Sequence, residues 1–331
     1  MSRYAREGKG LKNAFAGLLC LLIFAAGSAH SEELEGTASA GKRLAVASDC
    51  VACHTTPGGK PFAGGYPLSS PMGVIYSTNI TPSKTAGIGN YTQEQFARAV
   101  RDGVTPDGTH LYPAMPYTSY SKITDSDIAA LYDYFMHEVV PVETPSPKTE
   151  LVFPFNIRAS MIGWNLLFHD TTRFTPDTSK SAEINRGDYL VNALAHCDTC
   201  HTPRNLLMAA DNSKPLGGGA LGSWYAPNIS SDKVSGIGKW SSDEIVAYLR
   251  TGHVEGKAQA AGPMAEAVEH SLQHLPDTDL KAIAAYLQQT KPVQSGEKKA
   301  RHEFGQASTD ELTLRGGKPE DNPGWHIFSG T

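Results

Sequence analysis

Four stretches of the chain repeat apolar residues at the three- and four-residue spacing of a buried helix face. Two of them are Phe96, Ala99 and Val100, and Ile245, Tyr248 and Leu249. The other two are Ile128, Leu131, Tyr132 and Phe135, and Leu280, Ile283, Ala284 and Leu287. The first pair opens on Thr92-Gln-Glu-Gln95 and Ser241-Ser-Asp-Glu244. In this pattern a hydroxyl at the N-cap and a Glu or Gln three residues later satisfy each other's backbone donors. Both stretches close on Arg-x-Gly, with Gly103 and Gly252 placed to stop the helix. Further helices are predicted before Cys50 and before Cys197.

The stripes come in matched pairs because the chain repeats itself. Asn79 matches Asn228, Gly87 matches Gly236, Gly103 matches Gly252 and Met115 matches Met264, all at an offset of 149. A period this long is a duplicated domain; solenoid units repeat every ~20–50 residues. The expected organisation is one domain over residues 38–140 and a second over 181–291. The segment 141–180 begins Pro-rich, as a stiff linker does. It then turns apolar and aromatic through Phe153, Phe155, Met161, Trp164, Leu166, Leu167 and Phe168. It is therefore expected to pack between the domains, with contact to a partner as the other use of such a surface.

The chemistry is carried by two pentads, Cys50-Val-Ala-Cys53-His54 and Cys197-Asp-Thr-Cys200-His201. Two cysteines three apart on a helical turn can each form a thioether to a haem vinyl group, and the next histidine then faces the iron. A four-cysteine zinc site would leave both histidines unexplained. A thioredoxin-like pair needs no following histidine and sits beside a βαβ pattern, which is not seen here. Two covalent haem c groups are the expectation, with His54 and His201 as proximal ligands. Met115 follows His54 by 61 residues and Met264 follows His201 by 63, each beside proline. A proline-flanked loop suits a fixed second axial ligand better than a core methionine, and thioether ligation closes the iron to substrates. His196, directly before Cys197, is expected to pack or hydrogen-bond near the haem edge. The fold class that follows is all-α: two tandem helical haem domains, resembling class I cytochrome c domains, joined by a Pro- and aromatic-rich linker.

Charge and the N-terminus place the protein. Arg3, Arg6, Lys9 and Lys12 precede an apolar run from Ala14 to Gly27, followed by small residues. This is the order of a secretory signal peptide, and the run is shorter than the ~20 residues of a membrane span. A signal over residues 1–29, export to the periplasm and a soluble or peripheral mature chain are expected. Without those residues 25 Lys and Arg stand against 33 Asp and Glu, which excludes nucleic acid as a natural partner.

The stretches RGDYLVNALAHCDTCHTPRN (186–205), GIGKWSSDEIVAYLRTG (236–252) and GPMAEAVEHSLQHLPDTDLKAIAAYL (262–287) resemble the multihaem cytochrome c subunit of periplasmic membrane-bound dehydrogenases. STNITPSKTAGIG, HLYPAMPY and FPFNIRASMIGWNLLF resemble it too. The resemblance covers roughly residues 38 to 331. It implies that Cys50, Cys53, His54 and Met115 serve one haem, and Cys197, Cys200, His201 and Met264 a second. It further implies a large flavin- or quinoprotein dehydrogenase subunit as electron donor, a possible small subunit, and ubiquinone or another acceptor at the periplasmic face of the membrane. The chain would have no substrate chemistry of its own. That family usually carries a third haem domain. In the tail, 292–331, Gly324-Trp-His-Ile-Phe328 resembles the helix before a third motif, so a truncated chain is expected. A free dihaem shuttle and, less so, a dihaem peroxidase are the competing functions; the matched methionines argue against the peroxidase.

Overall fold

The computed structural model describes residues 39–303. It opens with α1 (Ala40–Ala47), whose N-cap Ser39 side chain accepts from the Lys42 amide at 3.0 Å. The chain then turns into α2 (Cys50–His54), the hairpin of β1 (Pro67–Ser70) and β2 (Gly73–Tyr76), α3 (Gln93–Asp102), α4 (Tyr117–Tyr120) and α5 (Asp125–His137). After β3 (Glu150–Leu151) and α6 (Ser160–Phe168) the order is repeated. α7 (Ala182–Tyr189) runs through a π-helical turn at Leu190–Leu194 towards α8 (Asp198–His201). The hairpins β4–β5 (Gly219–Leu221, Trp224–Ala226) and β6–β7 (His253–Val254, Ala258–Gln259) lie on either side of α9 (Ser242–Thr251). α10 (Pro263–His270) and α11 (Asp277–Leu287) follow.

Among the described residues, the predicted helices are all present. Both capping boxes form with both of their reciprocal bonds, at Thr92 and Gln95 and at Ser241 and Glu244. Gly103 (φ 62°) and Gly252 (φ 72°) end α3 and α9 in the left-handed conformation that glycine tolerates best. Phe96, Ile128, Leu131 and Phe135 are buried in the first half, and Ile245, Leu249, Leu280, Ile283 and Leu287 in the second.

Each half is built on one helix crossing, α1 on α5 and α7 on α11. The crossings share a glycine. A Cβ on Gly41 would lie 2.0 Å from the Ala130 carbonyl oxygen, and one on Gly187 would lie 2.0 Å from that of Ala282. Backbone cannot yield as a flexible side chain does, so Gly187→Ala is expected to cost about 1–3 kcal/mol through overpacking. Gly163 in α6 is the control, with nothing within 4 Å of its would-be Cβ. Gly163→Ala should be neutral or stabilising by up to ~1 kcal/mol, from helix propensity alone. Thermal unfolding of the two variants checks the contrast.

Two expectations need correction. The chain is not all-α: it carries three small antiparallel sheets, ordered β1-β2-β3, β4-β5 and β6-β7. Strands of two to four residues are too short to print a period-two pattern, and their register comes from the partner strand. Nor is segment 141–180 a plain linker. It supplies β3, which pairs with β2 (Gly73 with Leu151, Val74 with Glu150), and then α6.

The segment reaches both halves, through Val142 and Asn165 to the first and Trp164 and Phe174 to the second, while its helix stays outside. No residue of α6 is buried; Leu166 is 87% exposed and Leu167 69%. α6 is held from beneath by polar bonds. Tyr117 Oη donates to Asn165 Oδ1 at 2.7 Å, and the Trp164 indole N–H donates to the Leu207 carbonyl at 2.8 Å. The second bond sets α6 against Leu207, which is exposed together with Leu206 and Met208. SMIGWNLLF is apolar all round, so its composition marks a sticky helix without saying which face is covered. The expected signal peptide and the chain beyond residue 303, including Gly324–Phe328, lie outside the described residues. Among those described, no helix is long and apolar enough to cross a membrane.

Candidate functional site

Each pentad forms a single helical turn, so both cysteines and the histidine share one face. His54 and His201 are oriented alike. The Nδ1 of His54 donates to the Thr78 carbonyl at 2.7 Å, and that of His201 to the Pro227 carbonyl at 2.6 Å. Burial holds both imidazoles below the usual histidine value. A neutral ring with its Nδ1 proton committed to a carbonyl presents Nε2 as a free lone pair, the form a metal ligand needs. Desolvation, then the Asp49 and Asp198 carboxylates, push the Cys50 and Cys197 thiols up to about 12. That is the opposite of an activated redox thiol. Among the described residues no three His, Cys, Asp or Glu side chains stand close enough to hold a metal ion, so the four cysteines do not converge as a zinc cluster. The donor set fits haem: two thiols for thioethers, a neutral imidazole and a soft thioether in each half.

The carbonyl partners were not foreseen. They lie in the repeat at Ser77-Thr-Asn-Ile80 and Ala226-Pro-Asn-Ile229, yet Thr78 and Pro227 share no side chain. Only their backbone oxygen is used, and that leaves no mark on residue type. The visible mark is the next residue. Asn79 Nδ2 donates to the Val142 and Thr144 carbonyls at 2.7 and 3.0 Å, while its Oδ1 accepts from the Thr81 amide and hydroxyl. Asn228 Nδ2 likewise donates to the Val293 carbonyl at 2.7 Å and to the Ser295 hydroxyl at 3.3 Å, and its Oδ1 accepts from the Ser230 amide and hydroxyl. These buried amides pin the loops that orient the histidines. Asn79→Ala strands several buried partners and is expected to cost about 1–3 kcal/mol. Denaturant unfolding should show the loss, together with a less ordered His54 ring by NMR.

Met115 and Met264 are half-buried against the core that also meets Cys50 and Cys197. Met115 is in a loop, as expected. Met264 is not: it is the second residue of α10, behind Pro263 at the first helical position. Proline there starts a helix, since its missing N–H has no bond to lose.

The two motifs face one another, which no repeat pattern announces. α10, which carries Met264, packs on α2 of the first motif. α4, just after Met115, packs on the turn leading into the second motif. Ser119 Oγ donates to Asp198 Oδ1 at 3.0 Å, inside the second pentad. Asp49 has a left-handed backbone (φ 51°), and burial, then Glu266 of α10, push its carboxyl up to about 8. Tyr189 Oη donates to Asp127 Oδ2 at 2.6 Å and accepts from the Thr124 amide, which ties α7 to the start of α5. The His196 ring packs edge-on against Tyr120 at this same junction, with centroids 5.4 Å apart.

Comparison with known proteins agrees with these features. The Cytochrome c family profile matches residues 38–137. The chain is 55% identical over 262 residues to the fructose dehydrogenase cytochrome subunit of Gluconobacter japonicus, covering 78% of this chain and 53% of that protein. It is 43% identical over 291 residues to the gluconate 2-dehydrogenase cytochrome c subunit of Pantoea cypripedii, covering 84% of this chain and 64% of that one. It is 37% identical over 268 residues to a dihaem cytochrome c-type protein of Cereibacter sphaeroides, covering 79% of this chain and 88% of the relative. The chain thus spans between about half and two thirds of the length of the two dehydrogenase subunits.

Proposed function

Since the chain belongs to the multihaem cytochrome c family that includes the cytochrome subunits of fructose, gluconate and alcohol dehydrogenases, we propose that it is the electron-carrying subunit of such a complex. It holds covalent haem c in two tandem domains. Cys50 and Cys53 anchor the first haem, with His54 and Met115 on its iron. Cys197 and Cys200 anchor the second, with His201 and Met264. When bound, haem supplies a one-electron iron couple.

The chain's own residues do the rest. The cysteines fix each group in place, and the Thr78 and Pro227 carbonyls hold each histidine in the ligating tautomer. The methionines would give each iron its second protein ligand and so leave no open site for substrate chemistry. Electrons arrive from a flavin- or quinoprotein dehydrogenase subunit and leave towards ubiquinone or another acceptor, on the periplasmic face of the membrane. The observation that carries this reading is the matched pair of buried imidazoles, each with Nδ1 on a loop carbonyl and two cysteines on the same turn. The test is to purify the chain from a host that matures c-type cytochromes and measure its covalent haem by mass. Two haems per chain are expected; none would overturn the reading.

The apolar surface around α6 supports a protein partner. Exposed Leu166 and Leu207 are large side chains of the kind that anchor an interface core. Leu166→Glu with Leu207→Glu should leave haem content intact and change stability by no more than about 0.5 kcal/mol. The dehydrogenase activity that co-purifies with the chain from its own host should fall sharply.

A further inference from the structure

We propose that residues 153–169 form a strap that fixes the loop carrying Met115, with Tyr112, Tyr117 and Arg158 as its positioning residues. The strap thereby keeps that thioether at the first iron. The inference rests on the two-haem reading above and adds residues that neither pentad contains.

The strap grips the loop on both sides of the methionine. Before it, Tyr112 Oη donates to the Phe155 carbonyl at 2.8 Å, and the Arg158 guanidinium donates to the His110 carbonyl at 2.9 Å. The same guanidinium lies over the Tyr112 ring, 4.6 Å from its centroid. After it, Tyr117 Oη donates to Asn165 Oδ1 at 2.7 Å, and the His169 ring stands edge-on to the Tyr117 ring at 5.3 Å. Both tyrosines are buried. Inside the loop the Met115 amide turns back on the Tyr112 carbonyl at 3.1 Å, and the Tyr117 amide on the Met115 carbonyl at 2.8 Å. Turns this tight set the shape of the loop and not its place. The Leu111 amide ties its near end to Gly103, and the bonds to the strap hold the rest.

The repeat shows that a haem domain does not need these rings. At the offset of 149, Tyr112 matches Ala261 and Tyr117 matches Glu266. The second methionine is held by other means: it stands in α10, and Gly262 before it lies against the Trp224 ring. Two phenols and a guanidinium that serve one copy, and meet one segment, belong to that segment's own task. The two methionines are therefore released independently.

The test displaces Met115 from ferric iron by imidazole, an exchange of ligands with no change of oxidation state. It uses the full chain matured with haem, as wild type, Tyr112→Phe, Arg158→Met and Tyr132→Phe. Tyr112→Phe loses one hydroxyl and keeps the ring; Arg158→Met keeps the apolar stem and loses the donor. Tyr132→Phe is the control, because its hydroxyl donates to the Tyr91 carbonyl at 2.9 Å, a bond of the same kind outside the strap. Amide hydrogen exchange, read by mass, should quicken about three- to tenfold over residues 111–117 in both strap variants and stay unchanged over 259–265. Imidazole affinity reports the fraction of iron that its methionine has left. One of the two sites should tighten by about the same factor, and the other should not move. Tyr132→Phe should lose comparable stability in denaturant and leave both readouts at wild type. Wild-type exchange and affinity in the strap variants, with two haems counted by mass, overturn the proposal and leave the two-haem reading standing. Faster exchange without tighter imidazole binding overturns it as well, since the strap would then hold the loop and not the ligand. Should Arg158→Met not fold, Tyr112→Phe decides alone. A wild-type chain with no haem on Cys50 and Cys53 overturns the two-haem reading, and this proposal with it.

Discussion

Replacing Cys197 and Cys200 together by alanine is expected to remove one covalent haem and leave the other. By mass the matured protein should lose a single haem, and its alkaline pyridine spectrum should fall to about half, as follows if each pentad anchors its own group. The other uses of paired cysteines make different predictions. A disulfide would leave haem content unchanged and alter the count of free thiols. A zinc site would release metal. Electron throughput should fall far more than by half if the two sites act in series, since either one alone ends the path. The expectation also extends across the junction. α10 packs on α2, and Ser119 bonds Asp198 within the second pentad. Emptying the second site should therefore broaden signals from His54 and Thr78, which a pair of independent domains would not show.

The second large effect belongs to the methionines. Met115→Ala and Met264→Ala should each leave the covalent haem in place and open one iron. Thioether ligation raises the potential, so its loss should lower it by on the order of 0.1 V, within the ~0.8 V range that axial ligands span. A redox titration followed by absorbance reads the shift, and the same sample should turn partly high-spin and bind carbon monoxide when reduced. The change should be confined to one haem in each variant. Met72→Ala, in the turn between β1 and β2, is the control and should leave both potentials unchanged. Full retention of the low-spin spectrum in Met264→Ala would assign the sixth ligand elsewhere.

The helices were legible because their signals are local. Thr92 with Gln95, Ser241 with Glu244, and the stops at Gly103 and Gly252 lie within one helix each, and all formed as read. The pentads were legible for the same reason: i, i+3 and i+4 share a face on any helical turn. The short strands were not, because β3 exists only where residues 150–151 meet β2. Met264 was misplaced into a loop because Pro263 reads as a breaker until the helix it starts is seen.

By itself the sequence determined which donor groups are present and how many times the arrangement occurs: four cysteines, two histidines, two matched methionines and a domain-length offset. Covalent chemistry and helical periodicity depend on neighbours along the chain, and these are written there. Only the tertiary structure decided that Thr78 and Pro227 orient the histidines, that the two motifs face one another, and that Tyr120 meets both Ser48 and His196. Those contacts are made by backbone oxygens and by residues tens of positions apart, and their partners are chosen by packing. It also decided that α6 shows its apolar residues outward. A helix without a polar face takes its orientation from whatever its few polar anchors, Asn165 and Trp164, happen to reach.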